Sequence, residues 1–300
     1  MLRRLVAYVM LVVVVLAVST GARAEDKYFD SAGVKIHYTI DGQGPPVVLV
    51  HGFTASIQAQ WGLPGIITKL KPDYKVIALD NRGHGRSDKP HDPKLYGPES
   101  VNDVVRLLDH LKIEKAHVVG YSMGAFMTNY LVATHPSRVL TATLGGAGWR
   151  KPDDTRMAVM NVLAESLDAG KGIGPLILAL TPADRPKPDD KQIEMINQMV
   201  MAMNDQKALA ACVRGMGNLT VTEAQLRANK VPTLALIGSD DPLKVGVDEM
   251  HGVMSNLTVE VIDGTDHMTA FRAPKFIMDL KEFLSAHSAV PAGAAAGGQQ

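Results

Sequence analysis

Ser122 lies in Gly120-Tyr121-Ser122-Met123-Gly124, directly after the apolar stretch His117-Val118-Val119 and ahead of a helical run, residues 125–134. A serine on a tight strand-to-helix turn needs small neighbours because the backbone there is strained, and such a turn lifts the hydroxyl clear of a sheet. The first N–H groups of the following helix, and the positive end of its dipole, face the same place. A hydroxyl so placed is suited to nucleophilic attack on a carbonyl. The plain alternative is a glycine-rich helix start with Ser122 as its N-cap.

Attack requires a base to take the serine proton, and a carboxylate to orient that base. His267, in Gly264-Thr265-Asp266-His267, follows the apolar run Thr258-Val259-Glu260-Val261-Ile262. Asp241, in Ile237-Gly238-Ser239-Asp240-Asp241-Pro242, follows Thr233-Leu234-Ala235-Leu236-Ile237. Both sit just beyond strand C-termini, the edge on which open parallel sheets collect ligands. Asp241 is the favoured acid; Asp240 is its rival, and Asp266 stands next to the base, either of them readable as a solvated loop acid. His51-Gly52-Phe53 ends the run Val47-Val48-Leu49-Val50. The Phe53 and Met123 backbone N–H groups form a candidate oxyanion hole, while the His51 side chain reads as structural. In Asp80-Asn81-Arg82-Gly83-His84-Gly85-Arg86-Ser87, Asp80 and Arg82 read as loop staples. His84, which precedes Ser122 and sits in a turn, is a poorer candidate base.

These corners need a scaffold. Four-residue apolar runs such as Val47–Val50 and Val76-Ile77-Ala78-Leu79 suit strands covered on both faces. Helical stripes separate them: Val101, Val104, Val105, Leu107, Leu108 and Leu111 on one face, and Phe276, Ile277, Leu280 and Phe283 later. The alternation predicts an α/β fold, a mostly parallel sheet with helices on both faces. The alternating segment Val34-Lys35-Ile36-His37-Tyr38-Thr39-Ile40, followed by Asp41-Gly42-Gln43-Gly44, suggests an edge hairpin turning at residues 41–44. From about residue 149 to 230 helical periods continue without a buried strand, which suggests a helical cap over one end of the sheet. Ile193, Met195, Ile196, Met199, Val200 and Met203 form a Met-rich stripe there. Met195, Met199 and Met203 could line an adaptable acyl pocket, or the stripe could be the cap's own core. Cys212, the one cysteine, reads as buried packing.

Taken together, these residues resemble the α/β-hydrolase superfamily over roughly residues 27–286, the insertion less closely. The family's chain order of nucleophile, acid and histidine corresponds here to Ser122, Asp241 and His267. His51-Gly52 matches its oxyanion loop, residues 80–87 its D-x-R-G-x-G-x-S signature, and Gly238-Ser239-Asp240-Asp241-Pro242 its G-x-x-D-P pattern, which selects Asp241. Ala125 departs from the second glycine often found after the elbow. The resemblance implies a serine hydrolase, with cleavage of a carboxylic ester, thioester or lactone of a small apolar substrate as the leading expectation and no cofactor or metal. Carbon–carbon bond hydrolysis and cofactor-free peroxidation are the alternatives within the fold. Ser122 argues against the relatives that carry Asp at the elbow. A non-catalytic binding protein on the same scaffold is the alternative from another class.

Composition supports a globular chain: 300 residues, 46% hydrophobic and 21% charged. Lys plus Arg number 31 and Asp plus Glu 31, so no basic excess favours nucleic acid as a partner. A single cysteine supplies neither an internal disulfide nor a thiolate metal cluster. Arg3 and Arg4, the apolar run of residues 5–18 and Ala22-Arg23-Ala24 read as a signal peptide cleaved after Ala24. The expected protein is therefore secreted or periplasmic, without stable membrane insertion after cleavage. An uncleaved N-terminal anchor is the competing reading. Residues 288–300 read as a disordered tail, leaving 25–148 with 231–287 as the hydrolase core and 149–230 as the cap.

Overall fold

The structure, a computed structural model, describes residues 25–155 and 158–288. The expected signal peptide and all but the first residue of the expected tail lie outside them. Eight strands form one sheet: β1 (Lys27–Ser31), β2 (Val34–Asp41), β3 (Pro46–Val50), β4 (Lys75–Leu79), β5 (Ala116–Tyr121), β6 (Val139–Gly145), β7 (Thr233–Gly238) and β8 (Leu257–Ile262). Their spatial order is β1-β2-β4-β3-β5-β6-β7-β8. β2 is antiparallel to β1 and to β4, and all pairs from β4 through β8 are parallel.

The central strands are continuously apolar because each packs on two cores. In β3, Val48 and Val50 face one cluster with Ile77, Leu79 and Val118. Val47 and Leu49 face the opposite one with Val76, Ala78 and Val119. Between β3 and β4 comes the short helix α1 (Ile66–Leu70). On the first face lie α2 (Pro98–His110), through Val101, Val104, Leu107 and Leu108, and α3 (Met123–Thr134), through Met127 and Leu131. The second face is covered by Ile66 and Leu70 of α1 and by Phe276, Ile277, Leu280 and Phe283 of the last helix, described below.

After β3 the chain steps to β4 on one side, then returns to place β5 on the other. The β3 and β5 C-termini therefore flank the point where strand order reverses, where loops diverge and leave a crevice.

Among the described residues, five α-helices run between β6 and β7: α4 (Ala158–Asp168), α5 (Gly174–Ala179), α6 (Asp190–Met201), α7 (Gln206–Met216) and α8 (Glu223–Ala228). They have their own small core of Leu163, Ala164, Leu167, Ile173, Leu209, Ala210 and Val213. Ala211, Cys212 and Met216 of α7 instead join the main core. α9 (Lys244–His251) follows β7, and α10 (Pro274–His287) is the last helix among the described residues. No helix among the described residues is long and apolar enough to cross a membrane.

Two expectations need correction. The hairpin joins β1 to β2, with Ala32 at φ 54° and Gly33 at φ 82°, the positive pair that a two-residue type I′ turn demands. Residues 41–44 instead lead from β2 to β3, and β2 is an internal strand. The Met-rich stripe proves to be two stripes. α6 turns buried Asn197 and half-buried Ile193, Ile196 and Val200 inward, while Met195, Met199 and Met203 are 41%, 38% and 68% exposed. Asn197 explains the choice of face: its Oδ1 accepts the Ile173 N–H (2.8 Å) and its Nδ2 donates to the Lys171 carbonyl (3.0 Å), pinning the α4–α5 loop.

Candidate active site

Ser122 has φ 55° and ψ −115°, a strained conformation for a residue with a side chain. Close packing around the turn enforces it. A Cβ at Gly120 would come within 2.0 Å of the Gly124 carbonyl oxygen, and one at Gly124 within 2.0 Å of the Val50 carbonyl oxygen. Gly124 thus lets α3 start directly against the end of β3, bringing the two loops of the crevice together. The turn after β3 lies alongside, since a Cβ built on Gly52 would be 3.3 Å from Ser122 Cβ.

Three side chains from separate loops join in one hydrogen-bonded chain. Ser122 Oγ is 2.9 Å from His267 Nε2, and His267 Nδ1 is 2.9 Å from Asp241 Oδ2. A carboxylate can only accept, so Nδ1 carries the ring hydrogen and Nε2 is free to accept the serine hydroxyl. The Asp241 side chain is inaccessible to solvent, its other oxygen accepting the Leu243 N–H (2.9 Å); the His267 side chain is 4% exposed. Ser122 is half-buried. The sequence-expected trio therefore meets, and the rival acids do not take its place. Asp240 and Asp266 both bind Arg185, at 2.9 Å and 2.5 Å. Asp266 is buried and fully used, its Oδ1 taking the Met268 N–H (3.0 Å) and the Thr269 hydroxyl (2.7 Å).

Met123 is the first residue of α3, so its N–H has no helical partner and points forward from the helix start. Phe53 follows Gly52 in the turn beside Ser122, and its half-buried side chain packs on both the main core and the insertion's core. Cys212 of α7 touches Met123, sulfur to sulfur at 3.7 Å, and burial pushes its thiol up to about 12. It is packing, as its apolar surroundings predict.

The histidines near the turn have other duties. His51 is fully buried: Nε2 accepts the Asn81 N–H (3.0 Å) and Nδ1 donates to the Gly52 carbonyl (2.7 Å). Burial lowers its pKa, which keeps the ring in the neutral form this pattern requires. His84, buried beside Phe53 with ring centroids 5.7 Å apart, bonds the Arg82 carbonyl and is pushed down to about 3, chiefly by burial. It is a neutral structural ring.

Asp80 receives the Ile57 N–H (2.8 Å), the Arg86 N–H (2.9 Å) and His37 Nδ1 (2.8 Å). Burial opposes its charge, yet His37, His51 and these N–H donors hold it at about 2. Arg82 grips Asp103 of α2 through two bonds, with both side chains 1% exposed. Both are the loop staples expected.

Tyr121 and Arg185 carry no signal in the sequence. The Tyr121 hydroxyl donates to the His267 carbonyl (2.7 Å) and its ring lies 5.5 Å from the imidazole, fixing the loop that presents it. In sequence Tyr121 is only the variable residue of the elbow, and Arg185 only one charge in a proline-rich connector. Among the described residues no group of three or more His, Cys, Asp or Glu is placed to hold a metal ion.

Residues 45–171 match the family described as alpha/beta hydrolase fold. That match and the sequence relatives support the α/β-hydrolase superfamily. It is 29% identical over 227 residues to 2-hydroxymuconate semialdehyde hydrolase of Pseudomonas sp. (strain CF600), covering 71% of this chain and 76% of that one. It is also 29% identical over 227 residues to 3-oxoadipate enol-lactonase 1 of Acinetobacter baylyi, covering 73% and 81%. Among solved structures, the enol-lactonase from Burkholderia xenovorans LB400 shares the fold at a TM-score of 0.70 and 22% identity, over 86% of this chain and all of that one. The relatives are hydrolases, and the matches indicate an enzyme of the α/β-hydrolase kind.

Proposed function

We propose that this α/β-hydrolase cleaves a carboxylic ester, thioester or lactone of a small apolar substrate through an acyl-enzyme on Ser122. The observation that carries the reading is the unbroken chain from Ser122 Oγ through His267 to Asp241, with both links at 2.9 Å. His267 Nε2 takes the serine proton as Oγ attacks the carbonyl carbon. The developing oxyanion is held by the Phe53 and Met123 N–H groups, each such donor contributing on the order of 3 kcal/mol to the transition state. Asp241 holds the imidazole in its Nδ1–H tautomer and stabilises the imidazolium. That imidazolium protonates the leaving oxygen (sulfur in a thioester); the neutral imidazole then takes a proton from a water attacking the acyl carbon and returns it to Ser122 Oγ as the Oγ–carbon bond breaks and the acid leaves.

The similarity to enol-lactonases supports cyclic esters among the first substrates to try. The acyl group in this proposal is an apolar chain resting against Phe53, between the sheet and the insertion. Met195, Met199 and Met203 enter only as an outer, adaptable contact, since they are exposed.

The test is a panel of p-nitrophenyl esters from acetate to octanoate, with lactones alongside, assayed with the wild type and Ser122→Ala. Turnover by the variant is expected to fall by about 10⁴-fold or more, and fluorophosphonate labelling to vanish, with the melting temperature retained. Persistent labelling of Ser122→Ala would remove Ser122 from the site. Equal rates on acetate and octanoate would remove the apolar acyl pocket.

A further inference from the structure

We propose that Arg185 is a positioning residue whose guanidinium, carried by the helical insertion, clamps together the two loops that present Asp241 and His267, so that hydrolysis depends on the insertion's seated placement. The proposal rests on the function proposed above. Arg185 lies between α5 and α6, in a turn where its N–H donates to the Pro182 carbonyl (3.1 Å). Its Nη2 is 2.9 Å from Asp240 Oδ2 and its Nη1 2.5 Å from Asp266 Oδ2. Each partner is the residue immediately before a member of the proposed triad.

The two loops are already laced on their inner side. The Asp240 N–H donates to the Thr265 carbonyl (3.0 Å), and the Gly264 N–H to Ser239 Oγ (2.9 Å). Arg185 closes the outer side, and it alone of these contacts comes from the insertion. Its two pairs are unequal. Asp266 is 4% exposed against 30% for Asp240. The pair with Asp240 is therefore screened and weak. In the pair with Asp266 the guanidinium is 37% exposed but the carboxylate is buried, so losing Arg185 leaves a buried Oδ2 stripped of this partner. That carboxylate also holds Met268 and Thr269, the residues just after His267. Asp266 is thus the route by which a charge on the insertion reaches the orientation of the imidazole.

The full-length chain is assayed as Arg185→Gln, Arg185→Lys and Asp266→Asn, and as the Arg185→Gln/Asp266→Asn double variant, beside Ser122→Ala. Because a misplacement of about 1 Å in a catalytic group can cost about 100-fold, Arg185→Gln is expected to lower kcat for a p-nitrophenyl ester by about ten- to a hundredfold, with KM changing less than about threefold. Fluorophosphonate labelling should slow by the same factor. Arg185→Lys, which keeps a cation for Asp266, should recover part of the loss. The double variant should lose no more than the worse single variant, since both act through one pair. Wild-type kcat and labelling in Arg185→Gln, a loss confined to KM, or losses that multiply in the double variant would overturn the clamp. Should Arg185→Gln fail to fold, a wild-type-like Asp266→Asn decides against it equally. If Ser122→Ala itself still turns over, the hydrolytic reading fails instead, whatever Arg185 does.

Discussion

At Asp241 the proposed mechanism makes its most exacting demand on a single atom. Oδ2 must face the Nδ1–H of His267, while Oδ1 stays with the Leu243 N–H. Asp241→Asn keeps the shape but can turn an amide N–H toward Nδ1, which favours the tautomer that cannot take the Ser122 proton. The expected outcome is a fall in kcat of about 10³- to 10⁴-fold at neutral pH with little change in KM. Steady-state kinetics on one p-nitrophenyl ester checks this, and a variant within tenfold of the wild type would point to another acid. At this scale the sequence was most informative where a function constrains residue type and order. A serine between glycines, a late acid and a later histidine are visible because only those types do that chemistry. Tyr121 and Arg185 were invisible because their work depends on partners, His267 O and Asp266 Oδ2, that are distant in sequence and become neighbours only on folding.

Elements are held in register by buried polar staples as well as by apolar packing. Asp103 of α2 receives Arg82 from the loop after β4 and the Ser31 hydroxyl from β1 (2.5 Å). It joins a helix, a loop and the edge hairpin. Asp103→Ala leaves the buried Arg82 guanidinium without its counter-charge, and is expected to destabilise the protein by about 3–5 kcal/mol. Urea unfolding measures this. A companion Arg82→Met/Asp103→Leu variant should be less destabilised than Asp103→Ala alone, because it removes the orphaned charge. Strands buried on both faces, such as β3 and β4, were legible as unbroken apolar runs. β1 was not, because Lys27 and Asp30 interrupt a short edge strand whose partner is the only evidence for it. In β6, Thr141 and Thr143 blur the apolar run, and Thr141 lies there to meet His117 across the strands (2.8 Å). Periodicity also could not divide the apolar face of α6, where a buried asparagine decides which side turns inward.

For the molecule as a whole, Asp80 is one source of acid sensitivity. Its carboxyl is held at about 2 in the folded state, below the ordinary value near 3.9. The folded form therefore favours the charged group. This contributes about 2 kcal/mol of stability above the ordinary value, which is lost as pH falls through the folded one. Buried His84, at about 3, must also charge as pH falls below the ordinary imidazole value, so urea midpoints should begin to drop below about pH 6.5; Asp80's share is lost between about pH 4 and pH 2, where Asp80→Asn, though less stable at neutral pH, should show a shallower drop. An Asp80→Asn curve parallel to the wild type would assign the acid loss to other groups.

The helical insertion leaves and rejoins the sheet between neighbouring strands, β6 and β7, and its two ends are sewn to each other. Trp149 Nε1 donates to the Val221 carbonyl (2.6 Å), the Val221 N–H to the Arg150 carbonyl (3.1 Å), and Arg150 Nη1 to the Met216 carbonyl (2.7 Å). Between those stitches the insertion rests on the main core through Ala211, Cys212 and Met216 of α7 and on the triad loops through Arg185, so the helices away from those contacts can be lengthened, shortened or exchanged without disturbing the register of any strand. One such transplant would redraw what the serine meets while leaving the machinery beneath it in place, provided the newcomer brings a cation to the spot Arg185 now fills.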